Sequence, residues 1–127
     1  MYRAIRLFAA TALVALVACS NDTEMPSQYH RDLLARPIDV QAGIEEGVVS
    51  VSWQMVTAEN VAGFVVSFTD ASGGMETKSV PDPEARAFVD DGSLSTESGT
   101  VWQIRVWAVD ARDFFGPQSE PFILEVP

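Results

Sequence analysis

From Pro37 onward the chain breaks into short runs of β-branched and aromatic residues, each closed by a cluster of Gly, Pro, Asp or Ser, and apolar residues nowhere recur at a helical period. A strand alternates its side chains between two faces, whereas a helix returns to one face every third or fourth residue, so this pattern predicts an all-β chain. The runs are 38–42, 48–54, 63–69, 75–80, 85–89, 100–110 and 122–126. Seven strands in about ninety residues is the size of a β-sandwich.

Alternation also assigns the core. Val49, Val51 and Trp53 are large and apolar, while Ser50 and Ser52 between them are polar, as in a strand buried on one side. Phe64, Val66 and Phe68 repeat the pattern. In the longest run Trp102, Ile104, Val106 and Ala108 form the inward set, leaving Val101, Gln103, Arg105 and Trp107 outward. The loop after it carries Phe114 and Phe115 ahead of Gly116 and Pro117. Exposed aromatics beside an arginine have the composition of an interface hot spot, so Val101, Arg105, Trp107, Phe114 and Phe115 are the candidate partner-binding residues. The bland reading of the same residues is that Arg105 stacks on Trp107 and one phenylalanine closes the end of the core.

The start of the chain carries different information. Residues 1–6 hold Arg3 and Arg6 and no acid, and residues 7–18 are uncharged and mostly apolar, the layout of a secretory signal. Twelve residues cannot cross a bilayer, which takes about 20. Leu16, Val17, Ala18 and Cys19 resemble the bacterial lipobox, at which lipoprotein precursors are cut before a cysteine that becomes acylated. The resemblance implies a signal peptide over 1–18 and a lipid bilayer as partner through acylated Cys19, the chain's one cysteine, which has no disulfide to make. An ordinary secretory signal with a stray thiol is the alternative. In enteric-type lipoproteins an Asp after the cysteine favours the inner membrane; Ser20 there points to the outer one.

Residues 20–36 are polar and read as a tether reaching roughly 55 Å when fully extended. Within it, 29–36 holds the material for one or two helical turns, either a partly ordered linker or a segment that docks on a partner. The whole sequence has 18 acidic against 8 basic residues, a formal charge of −10. Loss of Arg3 and Arg6 with the signal would leave −12. Such a chain is repelled by nucleic-acid phosphates, and its field favours cations or a basic protein surface.

Residues 37–127 resemble a fibronectin type III domain in the order and spacing of their features: Pro37 with Val40, Val49-x-Val51-x-Trp53, Gly63-Phe64-x-Val66, Trp102-x-Ile104-Arg105-Val106-x-Ala108-Val109-Asp110, and Gly116 with Ser119. The resemblance implies an antiparallel, immunoglobulin-like sandwich as the fold. It departs from the pattern where the family carries a tyrosine at the start of the sixth strand, whose hydroxyl fixes the preceding corner. Trp102 stands there and its indole can donate but not accept. Leu94 also lies about two residues further upstream than the family's corner leucine, so the loop 93–99 is expected to be longer or differently built, with its hydrogen bond open. A related immunoglobulin-like sandwich is the alternative fold, though the cysteine pair of a true immunoglobulin domain is missing. The integrin motif that animal fibronectin carries in the loop after the sixth strand does not transfer, because Arg112-Asp113 lacks the intervening glycine.

An enzyme is not expected. The single histidine, His30, lies in the tether, which leaves triads and zinc sites without their usual residues, and Gly73-Gly74 reads as a hairpin turn rather than a phosphate loop. Neighbouring acids at 45–46 and 90–91 read as solvated loop charges rather than a glycosidase pair. Asp70, Asp82, Glu84, Asp90 and Asp91 offer hard oxygens for Ca²⁺ but not at the spacing of a dedicated loop, so a calcium site is disfavoured. No cofactor or metal is expected. The expected role is a membrane-anchored, non-catalytic module that contacts another cell-envelope protein. The alternatives are a carbohydrate-associated module, since type III domains accompany polysaccharide-degrading enzymes, or a purely structural subunit of a membrane complex.

Overall fold

The computed structural model describes residues 34–127. Cys19, the cleavage motif Leu16 to Ala18, His30 and most of the 29–36 segment lie outside these residues, and Leu34 to Arg36, the part of that segment within them, is not helical. Seven strands follow in chain order: β1 Ile38–Glu45, β2 Val48–Gln54, β3 Gly63–Thr69, β4 Met75–Val80, β5 Ala87–Val89, β6 Val101–Val109 and β7 Phe122–Glu125. They form two antiparallel sheets, one ordered β1-β2-β5 and the other β4-β3-β6-β7.

The three strands β2, β3 and β4 have the bounds that alternation predicts. β1 runs three residues further than expected because Glu46 and Gly47 both take positive φ (51° and 82°) and turn the chain within two residues, pairing Glu45 with Val48. That left-handed pair matches the twist of the flanking strands, and glycine accepts it at its second place without a Cβ clash. Nearer its start β1 holds one extra residue between the pairs Ile38–Gln54 and Gln41–Ser52, a bulge at which Asp39 has φ 53°. β5 is shorter than expected, losing Ala85 and Arg86, although Arg86 O still accepts from Trp53 N at 3.0 Å. β6 and β7 each end inside the expected bounds.

All eight signature residues, Val51, Trp53, Phe64, Val66, Trp102, Ile104, Val106 and Ala108, are buried in one core with Val49, Phe68 and Leu124. Each large side chain among them contributes about 1.5–3 kcal/mol by leaving water. Across the sandwich Trp53 meets Phe64 with ring centroids 5.2 Å apart, and Phe68 stands edge-on to Trp102 at 6.3 Å. Leu34, placed in the tether by composition, is 2% exposed and belongs to this core. It lies over Gly116, where a Cβ would come within 2.7 Å of the leucine's own Cβ, so only glycine fits beneath it. Arg36 follows with an ion pair to Glu120 at 3.5 Å.

The corner left open by the sequence is closed by a tryptophan. Trp102 Nε1 donates to Ser95 O at 3.0 Å, and the corner's leucine, Leu94, is buried beside it in the core. The indole thus fixes the corner with its one donor, reaching back seven residues. Leu94 is held by Asp90, whose side chain is 1% exposed. Its Oδ2 accepts from Leu94 N at 2.9 Å and Gly92 N at 3.0 Å, its Oδ1 accepts from Ser93 Oγ at 3.3 Å, and Lys78 Nζ stands 3.8 Å from it. Burial works to raise the Asp90 pKa, but these amides, the hydroxyl and the ammonium outweigh it and hold the carboxyl below its ordinary value.

Two predictions follow from the corner. Trp102→Phe keeps an aromatic side chain but removes the donor and part of the buried ring, and should cost about 1–3 kcal/mol in a denaturant titration followed by circular dichroism. Asp90→Asn should lower stability at pH 7 by about 2–4 kcal/mol, because the one amide oxygen can keep the Leu94 and Gly92 donors but the NH₂ then faces the Ser93 hydroxyl and the Lys78 ammonium, which loses its counter-charge. A carboxyl whose folded pKa is depressed stabilises above its unfolded value near 4, and that stabilisation fades as pH falls through the folded one. The gap between wild type and Asp90→Asn should therefore be full at neutral pH and narrow progressively below about pH 4. Asp70, also shifted down, by Ser72 and Gly74, is common to both proteins and cancels in the comparison.

Candidate partner-binding face

Strand register, rather than any cleft, assembles the candidate surface. In an antiparallel ladder directly opposed residues share a face, so the outward side of the four-stranded sheet can be read row by row. Trp107 opposes Val65, which opposes Ser79 on β4; Arg105 opposes Ser67, which opposes Thr77. Gln103 lies between Ile123 of β7 and Thr69, whose other neighbour is Met75. Val101 pairs with Glu125 at one end, and at the other Val109 is flanked by Gly63 and, through an isolated bridge, by Phe115.

Of the five candidate residues, three come together. Trp107 packs against Phe115 with ring centroids 6.3 Å apart at 58°, and Arg105 is one register step along the same strand. Val101 shares the face but lies three alternate positions away from Trp107, beside Glu125. Phe114, which closes the turn with Asp110 just before Phe115, is half-buried. Arg105 directs Nη1 to Gln118 Oε1 at 3.4 Å, the ring against Trp107 is that of Phe115, and Leu34 is buried over Gly116 at that end of the core.

Phe115 owes its place to a tight loop. Asp110 Oδ1 accepts from Arg112 N at 2.8 Å and Phe114 N at 3.1 Å, Asp110 N donates to Phe114 O at 2.9 Å, and Asp113 adopts φ 68° to let the chain return. Short Asp side chains favour such turns because they bond their own backbone and tolerate left-handed φ. Beyond the loop, Gly116 N donates to Ala108 O, while Ser119 N donates to Val106 O and Ser119 Oγ accepts from Val106 N at 2.9 Å. These bonds seat the returning segment along β6, so Phe115 stands beside Val109 and Trp107 on a braced backbone.

Val65, Met75 and Ile123 join the face although the sequence reading did not single them out; Met75 is 63% and Ile123 51% exposed. Val65 was within reach, because alternation in Phe64, Val66 and Phe68 turns it outward. Met75 and Ile123 required the register. Of the 18 acidic residues, Asp22, Glu24 and Asp32 lie outside the described residues, and of the rest only Glu125 stands on this face. The others sit in loops, at strand ends or on other faces.

Among the described residues, clefts lie elsewhere, at open seams between the sheets. One of about 350 Å³ is lined by Arg36 to Val40 with Ser119 to Pro121, where β1 approaches the segment before β7. Another, of about 260 Å³, runs between β4 and β5 and is bridged by the Lys78–Asp90 pair. Among the described residues no three His, Cys, Asp or Glu side chains gather in a way that could hold a metal ion. Of the acids with hard oxygens, Asp70, Asp82, Asp90 and Asp91 accept hydrogen bonds from nearby backbone amides.

No known family profile matches the chain, and no curated protein matches it by sequence. Solved structures do. A structure described as that of a myokine superposes with a TM-score of 0.61 at 21% identity over 74% of this chain and 98% of its own. The FN5 domain of Drosophila Lar gives 0.57 at 18% identity over 74% and 97%, and an Fn3-like protein from Clostridium thermocellum gives 0.57 at 18% over 75% and 95%. At such identities the likeness speaks to architecture: residues 34–127 fold as a fibronectin type III-like β-sandwich of seven strands in two antiparallel sheets.

Proposed function

We propose that the chain is a lipid-anchored, non-catalytic binding module of the bacterial cell envelope, acylated on Cys19 and engaging another envelope protein through the outward face of its four-stranded sheet. The observation that carries the binding half is the Trp107–Phe115 pair beside Arg105, held on β6 and a braced loop in a chain whose charges lie almost entirely off that face. Aromatic anchors next to an arginine are the residues that dominate interface energies. A sandwich fold by itself names no function, so the reading rests on this surface. The anchoring half is supported by the leader and the Leu16 to Cys19 motif, with Ser20 favouring the outer membrane. Acylation at Cys19 with more than one chain would hold the domain at a bilayer far more durably than a single acyl group, whose grip is marginal.

Two experiments test the two halves separately. Affinity purification of the full-length protein from its own membranes should recover a protein partner that Trp107→Ala or Phe115→Ala reduces at least about tenfold, with the circular dichroism of each variant unchanged. Equal recovery by both variants would remove this face from the proposal, and saturable binding of the mature domain to a glycan array would replace it with the carbohydrate-associated role. Mass spectrometry of the membrane-extracted protein should find the chain beginning at an acylated Cys19, and Cys19→Ser should shift it from the membrane pellet to the soluble fraction. An unmodified cysteine in a pelleted protein would overturn the anchor.

A further inference from the structure

The neutral face is too small to bind alone, and its surroundings define what must cover it. Four strands spaced about 4.8 Å apart and about seven residues long at 3.3 Å each give a flat area of roughly 450 Å², whereas a stable interface covers about 800 Å² on each partner. A partner seated on Trp107, Val65, Ile123 and Met75 therefore also reaches the rim. The rim carries more acid than base: Glu125 closes one end, Asp110 and Asp113 lie in the loop that leads to Phe115 with Arg112 between them, and Asp70 and Glu76 adjoin Met75, Glu76 standing 4.0 Å from Lys78 Nζ. Arg105 is the one cation on the face, and it already shares Gln118. A second copy of this chain would lay like-charged rims together, each on a protein of formal charge −10.

We infer that the occupant of this face is a protein surface with an apolar centre ringed by lysine or arginine, and not a second copy of the chain. The inference rests on the face proposed above and adds the chemistry of its partner. Apolar rows at the middle supply the affinity, and the rim selects: acids at the edge attract basic partners, raise the association rate and penalise acidic ones. The other sheet provides an internal comparison. Its outward side, read from the same kind of register, presents Ile38, Gln41, Ser50, Ser52, Gln54, Ala87 and Val89: it exposes aliphatic side chains (Ile38 40%, Val89 61%) but no aromatic ring.

The test is site-specific photocrosslinking of the full-length protein in its own membranes, with benzoylphenylalanine replacing Gln103 on the proposed face or Ser52 on the other sheet. The Gln103 probe should give a protein adduct of another chain, and peptide mapping should place the attachment point within a cluster of Lys or Arg around apolar residues. The Ser52 probe should give none. Combining Glu125→Lys with Asp113→Asn, where asparagine keeps the left-handed φ, should lower the adduct yield about fivefold or more and weaken its dependence on salt. An adduct of this chain with itself, an adduct of lipid or glycan mass, equal adducts from Ser52, or a yield indifferent to the charge changes would each overturn the inference. If Trp107→Ala still abolishes co-purification while the charge changes have no effect, the face stands and only its partner's chemistry is wrong.

Discussion

Two sheets that share no strand and no disulfide must be held together by what lies between them, and in this domain that is a set of rings pinned from opposite sides. Trp53 projects from the three-stranded sheet onto Phe64 of the four-stranded one, and Phe68 answers by packing against both Phe88 and Trp102. The guanidinium of Arg86 lies over the Phe64 ring at 5.7 Å while donating to Pro83 O and Ala85 O, so the turn into β5 is fastened to the same aromatic stack. The arrangement has a cost. Trp53 Nε1 is buried and finds no hydrogen-bond partner among the described residues, a penalty on the order of 1–3 kcal/mol that the ring's apolar contacts offset.

The passage from β5 to β6 shows how a polar group can serve an apolar core. The chain must leave the small sheet, turn through 90–100 and enter the centre of the large one, and every backbone amide on that route needs an acceptor. Asp90 supplies two of them from one carboxylate, and Trp102 uses a carbonyl of the same loop. Leu94 is thereby delivered into the core. The nearby cation, Lys78, projects from the inward side of an edge strand, so the charge that balances Asp90 also makes β4 a poor template for pairing with another chain.

Much of this was legible in the amino acids. The period of two in β2, β3 and β6 picks out the large buried side chains, since one polar residue between large apolar ones fixes which face is inside, although Ser67 on the outward side of β3 is buried as well. What escaped depends on backbone geometry or on distant partners. The last residues of β1 hinged on a Glu-Gly turn that lacks the usual Asn or Asp. Leu34 gave no periodic signal: beside Leu33 in a short, mostly polar segment, it is buried because Gly116, far along the chain, leaves room for it. Trp102 was seen as a departure, and its donor finding Ser95 needed the path of the loop. For the face, alternation identified Trp107 and Arg105, but Met75 and Ile123 belong to it only through cross-strand register.

The seat of Leu34 has a mechanical consequence. It lies over Gly116, at the end of the sandwich that holds the loop 110–116. If the chain is pulled from that side while the four-stranded sheet is gripped, the first parts to bear load are the Leu34–Gly116 contact and the Arg36–Glu120 pair. Only behind them does tension reach β1, directed along the strand, where its bonds to β2 share the strain together instead of opening one after another. The clip at the N-terminus would thus act as a small fuse in series with a shear-resistant strand.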